Sequence, residues 1–301
     1  MYLTTYDDPS AFSQLVTSLL EEREAENNLP LGIVSNARAH EVNNATESDL
    51  ERPMLAVVHE AAIPTVESVR AVVVRTPPYP VVIGLTPGAT EPAVVERALD
   101  EVQRRYGNDI AGFNADTRVV EAYVHAWCRR TGAQASEHMK LRVYSCTNPA
   151  PPADVPGRAR RARPDDRELL NRFVTGFYHD ALPDEYDPAR VDSYVERMLA
   201  ADPKEQGIVL WEVDAKVVSN AAYTGATPKG IRINNVYTPP EHRRHGYASA
   251  CVADLTKRLL EGGREFCFLF TDLKNPTSNK IYQDVGYVPV SDATYWRTSI
   301  P

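Results

Sequence analysis

One stretch, "NNVYTPPEHRRHGYASA" at residues 234–250, packs four cationic or potentially cationic side chains, His242, Arg243, Arg244 and His245, directly before Gly246. Upstream, "IRINNVYT" is apolar and β-branched and predicts a strand; Pro239 and Pro240 end it by withdrawing two ladder donors. Downstream, Ala248, Cys251, Val252, Leu255 and Leu259 recur at helical spacing until Gly262 and Gly263 close the run. The charge therefore sits in a strand-to-helix loop, where free N–H groups converge at the positive end of a helix dipole. That arrangement suits a phosphate, with Gly246 permitting close backbone approach; a solvated basic turn is the plainer alternative.

A second stretch, "FCFLFTDLKNPTSNKIYQDVGY" at 266–287, predicts a strand and a short helix. Asn275 is suited to cap that helix and Pro276 to open it. Asn279 and Tyr282 lie three apart on one helix face. Taken alone, Tyr282 reads as ordinary packing.

These residues need a scaffold, and the chain has material for it. At 301 residues, 43% apolar and 25% charged, it is long enough for two soluble globular domains. A net charge of −8 argues against broad nucleic-acid binding. No apolar run reaches the roughly 18 residues that a membrane span requires, and the N-terminus lacks the pattern of a secretory signal. A cytoplasmic protein with no nucleic-acid or membrane partner is expected. Cys128, Cys146, Cys251 and Cys267 show no metal-ligand spacing and read as buried thiols, so no metal is expected.

"TNPAPPADVPG", residues 147–157, reads as a Pro-rich linker between a first domain at 1–146 and a second at 158–301. In the first, Ser10 is the expected cap of an opening helix built on Phe12, Leu15, Val16, Leu19 and Leu20. Strands "MLAVVHE", "SVRAVVVRT" and "YPVVIGL" follow, then helices near 91–105 and 117–131 and a strand near 138–145. The second half repeats the order: a strand in "RARRARP", two helices, strands "GIVLWEVD", "KVVSNAAYTG" and "IRINNVYT", then helix, strand, short helix and a last strand near 294–299. A distant internal duplication fits this repetition. "GRARRARPDDR" is better read as a strand with outward arginines than as a nucleic-acid patch.

Across roughly 157–301 the chain resembles the GCN5-related N-acetyltransferases (GNAT). "RRHGYA" matches the family's coenzyme A motif at Arg243, Gly246 and Ala248, and Asn279 and Tyr282 match its later Asn-x-x-Tyr segment. "EREAENNLPLGI" and the length are similar to a two-part subgroup with a degenerate first half. The resemblance implies a mixed α/β GNAT fold in the second half and a degenerate, non-catalytic GNAT-like first half. It implies acetyl-CoA as cosubstrate in a cleft where the fourth and fifth strands splay. Backbone N–H groups of Arg244, His245, Gly246, Tyr247 and Ala248 would hold its pyrophosphate, and the loop arginines would add charge. Val236, Tyr237 and Thr238 would pair with the pantetheine arm, Asn275 and Asn279 would add polar contacts, and Tyr282 would protonate the departing thiolate. A phenol of pKa about 10 is protonated at neutral pH.

The sequence departs from the family in one respect: "IRINNV" carries no glutamate to deprotonate the amine, and the nearest acids are Glu241 and Asp272. A lysine of pKa about 10.4 is seldom neutral near pH 7, whereas an α-amino group of pKa about 7.8 often is. A less basic acceptor fits, as does a water ordered by Asn234 and Asn235. In the first half "TPGATEP" stands where the coenzyme loop would be, and Cys128 where Tyr282 stands. His125, Trp127 and Cys128 read as packing. The expected reaction is direct acetyl transfer to a primary amine on a small molecule or peptide. A coenzyme A sensor and a longer-chain acyltransferase are the alternatives; the acceptor and the oligomeric state stay open.

Overall fold

The computed structural model describes residues 1–41 and 53–301. The chain forms two compact units: Met1–Val143 with Asp272–Lys274 and Val290–Pro301, and Tyr144–Thr271 with Asn275–Pro289.

The first unit contains β1 (Tyr2–Thr5), α1 (Pro9–Glu21), α2 (Asn28–Glu41), β2 (Met54–His59), β3 (Val69–Arg75), β4 (Val81–Ile83), α3 (Pro92–Tyr106), β5 (Gly112–Asp116) and α4 (Thr117–Thr131), then enters β6 (Gln134–Cys146). β1 to β4 pair antiparallel in sequence, and β5 joins β4 in parallel after the α3 crossover. β2 and β3 are apolar almost throughout because both faces are covered. Met54, Ala56, Val58, Ala71 and Val73 enter a core with α3 and α4. Their neighbours Leu55, Val57, Val72 and Val74 enter another with α1 and α2. The cap of α1 is Asp8 rather than Ser10: its carboxylate accepts from Ser10 N at 2.7 Å and Ala11 N at 3.2 Å. Pro9 opens the helix, so the cap must stand before it.

The second unit contains β7 (Arg158–Arg161), α5 (Arg167–Ala181), α6 (Pro188–Ala200), β8 (Gly207–Val213), β9 (Lys216–Thr224), β10 (Gly230–Tyr237), α7 (Tyr247–Glu261), β11 (Phe266–Asp272) and α8 (Pro276–Asp284). The closing strand, β12 (Val288–Ser299), runs from Val290 onward in the first unit, antiparallel to β5 with Ala293 opposite Asp116 and Arg297 opposite Gly112. Each run of elements follows one order: strand, two helices, three antiparallel strands, helix, parallel strand, helix, closing strand. The repeated order read from the sequence thus extends to the strand pairing.

In the second unit the sheet again separates two cores. Ile231 and Ile233 of β10 pack with Cys251, Val252 and Leu255 of α7. Ile208, Leu210 and Ala222 pack with Leu170 and Val174 of α5 and Val191 and Val195 of α6. Alternate residues of β10 therefore face α7 and the α5–α6 layer in turn. On β7 Arg158 and Arg161 are exposed, while Arg160 is half-buried and reaches Asp166 at 2.8 Å and Glu212 at 3.7 Å. Among the described residues no helix is long and apolar enough to cross a membrane.

Candidate functional site

Two features of β10 part it from its neighbouring strands. Its parallel pairing with β11 covers Gly230–Arg232 against Phe266–Phe268, and both strands run on beyond it, to Tyr237 and Asp272. Against β9, the register shifts between Asn234 (opposite Ala222) and Tyr237 (opposite Asn220), which is a bulge of one residue. Asn235 takes φ +44 at this bulge. Asn220, fully buried, holds it by donating from Nδ2 to the Asn235 carbonyl at 2.7 Å and to Asn235 Oδ1 at 3.2 Å. A bulge breaks the ladder and re-aims the backbone amides that follow, here those leading into Val236.

The loop after β10 is fixed by the chain's own residues. Ser219 Oγ donates to the Tyr237 carbonyl at 3.0 Å and lies 2.9 Å from Thr238 Oγ1. Arg243 donates from Nε to the Thr238 carbonyl at 2.9 Å, pairs through Nη2 with Asp180 at the end of α5, and lies over the Tyr237 ring. Arg243 is thus an anchor of the loop as well as a charge beside it. The Tyr237 side chain packs on α5, with the Phe173 ring 5.7 Å away and Gly176 giving it room.

Arg244, at φ +67, and Gly246, at φ +77, both take left-handed backbone within three residues, which turns the chain sharply into α7. Gly246 caps α7 with no side-chain hydrogen bond, so the first N–H groups of the helix have no partner within it. A Cβ at Gly246 would come within 2.9 Å of Val155 Cγ2, so glycine is required for space as well as for φ. Arg244 is exposed, and the His245 ring stacks on Tyr247 at 5.3 Å. Arg244 through Ala248 thus combine the free start of a helix with exposed cationic side chains.

Asn275 caps α8 by accepting from Ser278 N at 3.0 Å, and Asn279 Nδ2 donates to the Asn275 carbonyl at 2.7 Å. Tyr282 lies one helical turn from Asn279 and packs on the core cluster that Val236 and Tyr247 also touch. Its ring meets Tyr287 edge-on at 6.0 Å. Among the described residues its hydroxyl has no protein hydrogen-bond partner, and burial pushes its pKa up to about 12, so the phenol is held protonated.

Sequence reasoning missed Tyr144. Buried on β6, it donates from its hydroxyl to Asn279 Oδ1 at 3.1 Å and accepts from Gln283 Nε2 at 3.1 Å, fixing α8 on both sides of Tyr282. The link joins residues more than a hundred positions apart, and no local pattern announces it. The cysteines are unpaired, and burial raises every one of their pKa values, so none is an activated nucleophile. Trp127 is buried against Phe113 while His125 of the same helix is exposed, so the His125, Trp127 and Cys128 group forms no catalytic pair.

Residues 168–287, the segment that holds these strands, loop and helices, match the acetyltransferase (GNAT) family. No curated protein matches the chain in sequence. Among solved structures, a GCN5-related N-acetyltransferase from Kribbella flavida is similar over 90% of this chain and 96% of its own, at 18% identity and a TM-score of 0.55. A GCN5-related N-acetyltransferase from Sphaerobacter thermophilus covers 100% of this chain and 96% of its own, at 13% identity and a TM-score of 0.62. A tandem GNAT protein from the clavulanic acid biosynthesis pathway covers 99% and 98%, at 12% identity and a TM-score of 0.59. At such identities the likeness is one of fold. The family match falls on the segment with the splayed strands, so residues 168–287 are similar to the acetyltransferase (GNAT) family, inside a fold shared with solved GNAT proteins along nearly the whole chain.

Proposed function

We propose that the second unit transfers the acetyl group of acetyl-CoA to a primary amine by direct attack. The observation that carries this reading is the run of N–H groups from Arg244 to Ala248 at the start of α7, without a partner among the described residues and set beside the bulged, splayed end of β10. The loop would hold the pyrophosphate, while the backbone from Val236 to Thr238 would pair with the pantetheine arm. Asn275 and Asn279 would add polar contacts. An amide after the bulge would polarise the thioester carbonyl.

In the reaction, the neutral amine attacks the carbonyl carbon, the C–N bond forms and the C–S bond breaks. Tyr282 gives its proton to the leaving sulfur and regains one from solvent, while the amine's surplus proton passes to water. No acid stands on β10, so the acceptor has to reach the site with its amine already neutral for part of the time.

The first unit we read as non-catalytic, and its counterpart loop gives the reason. Gly88 has φ +86, as a loop glycine of this kind would, but Glu91 Oε1 lies 3.0 Å from the place of its missing Cβ. Glu91 is the cap residue of α3, so a carboxylate stands where a phosphate would need positive charge.

The test is transfer of label from acetyl-CoA carrying carbon-13 in its acetyl group. With a pool of primary amines the label is expected on acceptor nitrogen, in step with release of coenzyme A thiol. Tight binding of acetyl-CoA with no labelled amine from any pool would mark the protein as a coenzyme sensor instead.

A further inference from the structure

Arg232 is an arginine without an acid. It stands on β10 between Ile231 and Ile233, which face α7, so its side chain lies on the α5–α6 face. Several arginines of this unit have carboxylate partners, among them Arg160 with Asp166, Arg167 with Asp192, Arg243 with Asp180 and Arg258 with Asp254. Arg232 has none among the described residues, in a chain that carries 41 acidic residues against 33 basic ones. Its Nε is buried and bonded to nothing. Leaving a buried guanidinium N–H unpaired is costly, and burial pulls the pKa of this half-buried arginine below the usual range.

The neighbours of Arg232 share the deficit. Tyr194 of α6 is the titratable group that bears on Arg232, and its hydroxyl is buried without a partner. Arg197 lies over the Tyr194 ring at 5.4 Å, but its Nη1 is taken by Gln206 Oε1 at 2.7 Å, which also accepts from Thr224. Asn234, two residues along β10 on the same face, has a buried Oδ1 with no partner. About 7 Å of strand separates it from Arg232. The face thus offers two unused donors at one end, Arg232 Nε–H and Tyr194 O–H, and an unused acceptor at the other. It does so where β10 parts from β11, since Arg232 is the last paired residue.

Resting on the acetyl-transfer reading, we propose that Arg232 and Tyr194 bind a carboxylate of the acceptor and that Asn234 accepts a hydrogen bond from its amine, so that the substrate class is a small amino carboxylate. A carboxylate is the anion that matches a planar guanidinium fork. The cation does a second service: positive charge near the amine disfavours ammonium and raises the neutral fraction, which the missing base makes necessary.

The experiment compares a pool of free amino acids with the amines made by their decarboxylation and with their methyl esters, following thiol release. Calorimetry with acetyl-CoA runs in parallel. Wild type is expected to prefer the free acids by about 100-fold in kcat/KM, the worth of a lost hydrogen-bonded charge pair. Arg232→Gln should cost about as much, through KM, with acetyl-CoA affinity unchanged; Arg232→Lys should recover part of it. Tyr194→Phe should raise KM without lowering Tm, because the hydroxyl makes no bond in the free protein. It also serves as the readout if Arg232→Gln does not fold. Equal use of amines or esters, an unchanged KM in the variants, or no turnover of the amino acids by a protein that binds acetyl-CoA would each overturn the proposal. Wild type that binds no acetyl-CoA would overturn the coenzyme reading itself, and this one with it.

Discussion

A Tyr282→Phe variant is expected to bind acetyl-CoA as tightly as wild type and to lose about 100-fold in kcat, at the lower end of what a general acid contributes. The lower end follows from the pKa. A phenol held at about 12 is a weaker acid than a thiol near 8.5, so full transfer to a solvated thiolate would be uphill by about 5 kcal/mol. The proton can be useful only as charge grows on a sulfur that shares the same poorly solvated site and whose own basicity is raised there. Stability should hardly change, because the hydroxyl has no protein partner to lose and the ring keeps its edge contact with Tyr287. Single-turnover kinetics beside a calorimetric Kd separates the two effects. A large loss of coenzyme affinity in this variant would mean that Tyr282 holds the substrate rather than serving the chemistry.

Gly246 should be the most sensitive position of the loop. Alanine there must adopt φ +77, at about 1–2 kcal/mol, and must displace Val155, 2.9 Å from its Cβ. Overpacking of this kind costs a further 1–3 kcal/mol or so. The loop can escape both only by rotating the N–H groups at the start of α7. Gly246→Ala is therefore expected to weaken acetyl-CoA binding by at least about tenfold, and Gly246→Val to abolish it. Combining Gly246→Ala with Val155→Ala should recover the packing share but not the backbone share, so affinity should rise only part of the way. Full recovery would show that φ at this position is unimportant to the site.

Much of this was legible in the sequence because it is local. Pro239 and Pro240 end a strand, Gly132 follows α4 with φ +75, and Asn275 and Pro276 open α8, each through the chemistry of one or two residues. The stripe Cys251, Val252 and Leu255 is buried as its spacing predicts. The second helix of the first unit was not legible, since "NLPLGIVSNARAHE" carries Pro30 and Gly32 and little apolar periodicity. Nor was the bulge. Its sign is Asn220, a buried amide on a different strand, and nothing in "RINNV" fixes which residue leaves the ladder. The same holds for the pairing of β12 with β5 and for the Tyr144 clasp on α8. Arg232 shows the limit most clearly: an arginine in a strand looks ordinary until the missing carboxylate is seen in three dimensions.

The central claim is that the loop from Arg243 to Ala248 holds the phosphates of coenzyme A. Calorimetric titration of acetyl-CoA tests it most directly, with wild type run beside an Arg243→Ala, Arg244→Ala variant at two salt concentrations. Wild type should bind on the order of micromolar, and the variant at least tenfold more weakly with a shallower salt dependence, because exposed cation–phosphate contacts are screened. Absence of binding by wild type to both acetyl-CoA and coenzyme A, or equal affinities in the two proteins at both salts, would contradict it.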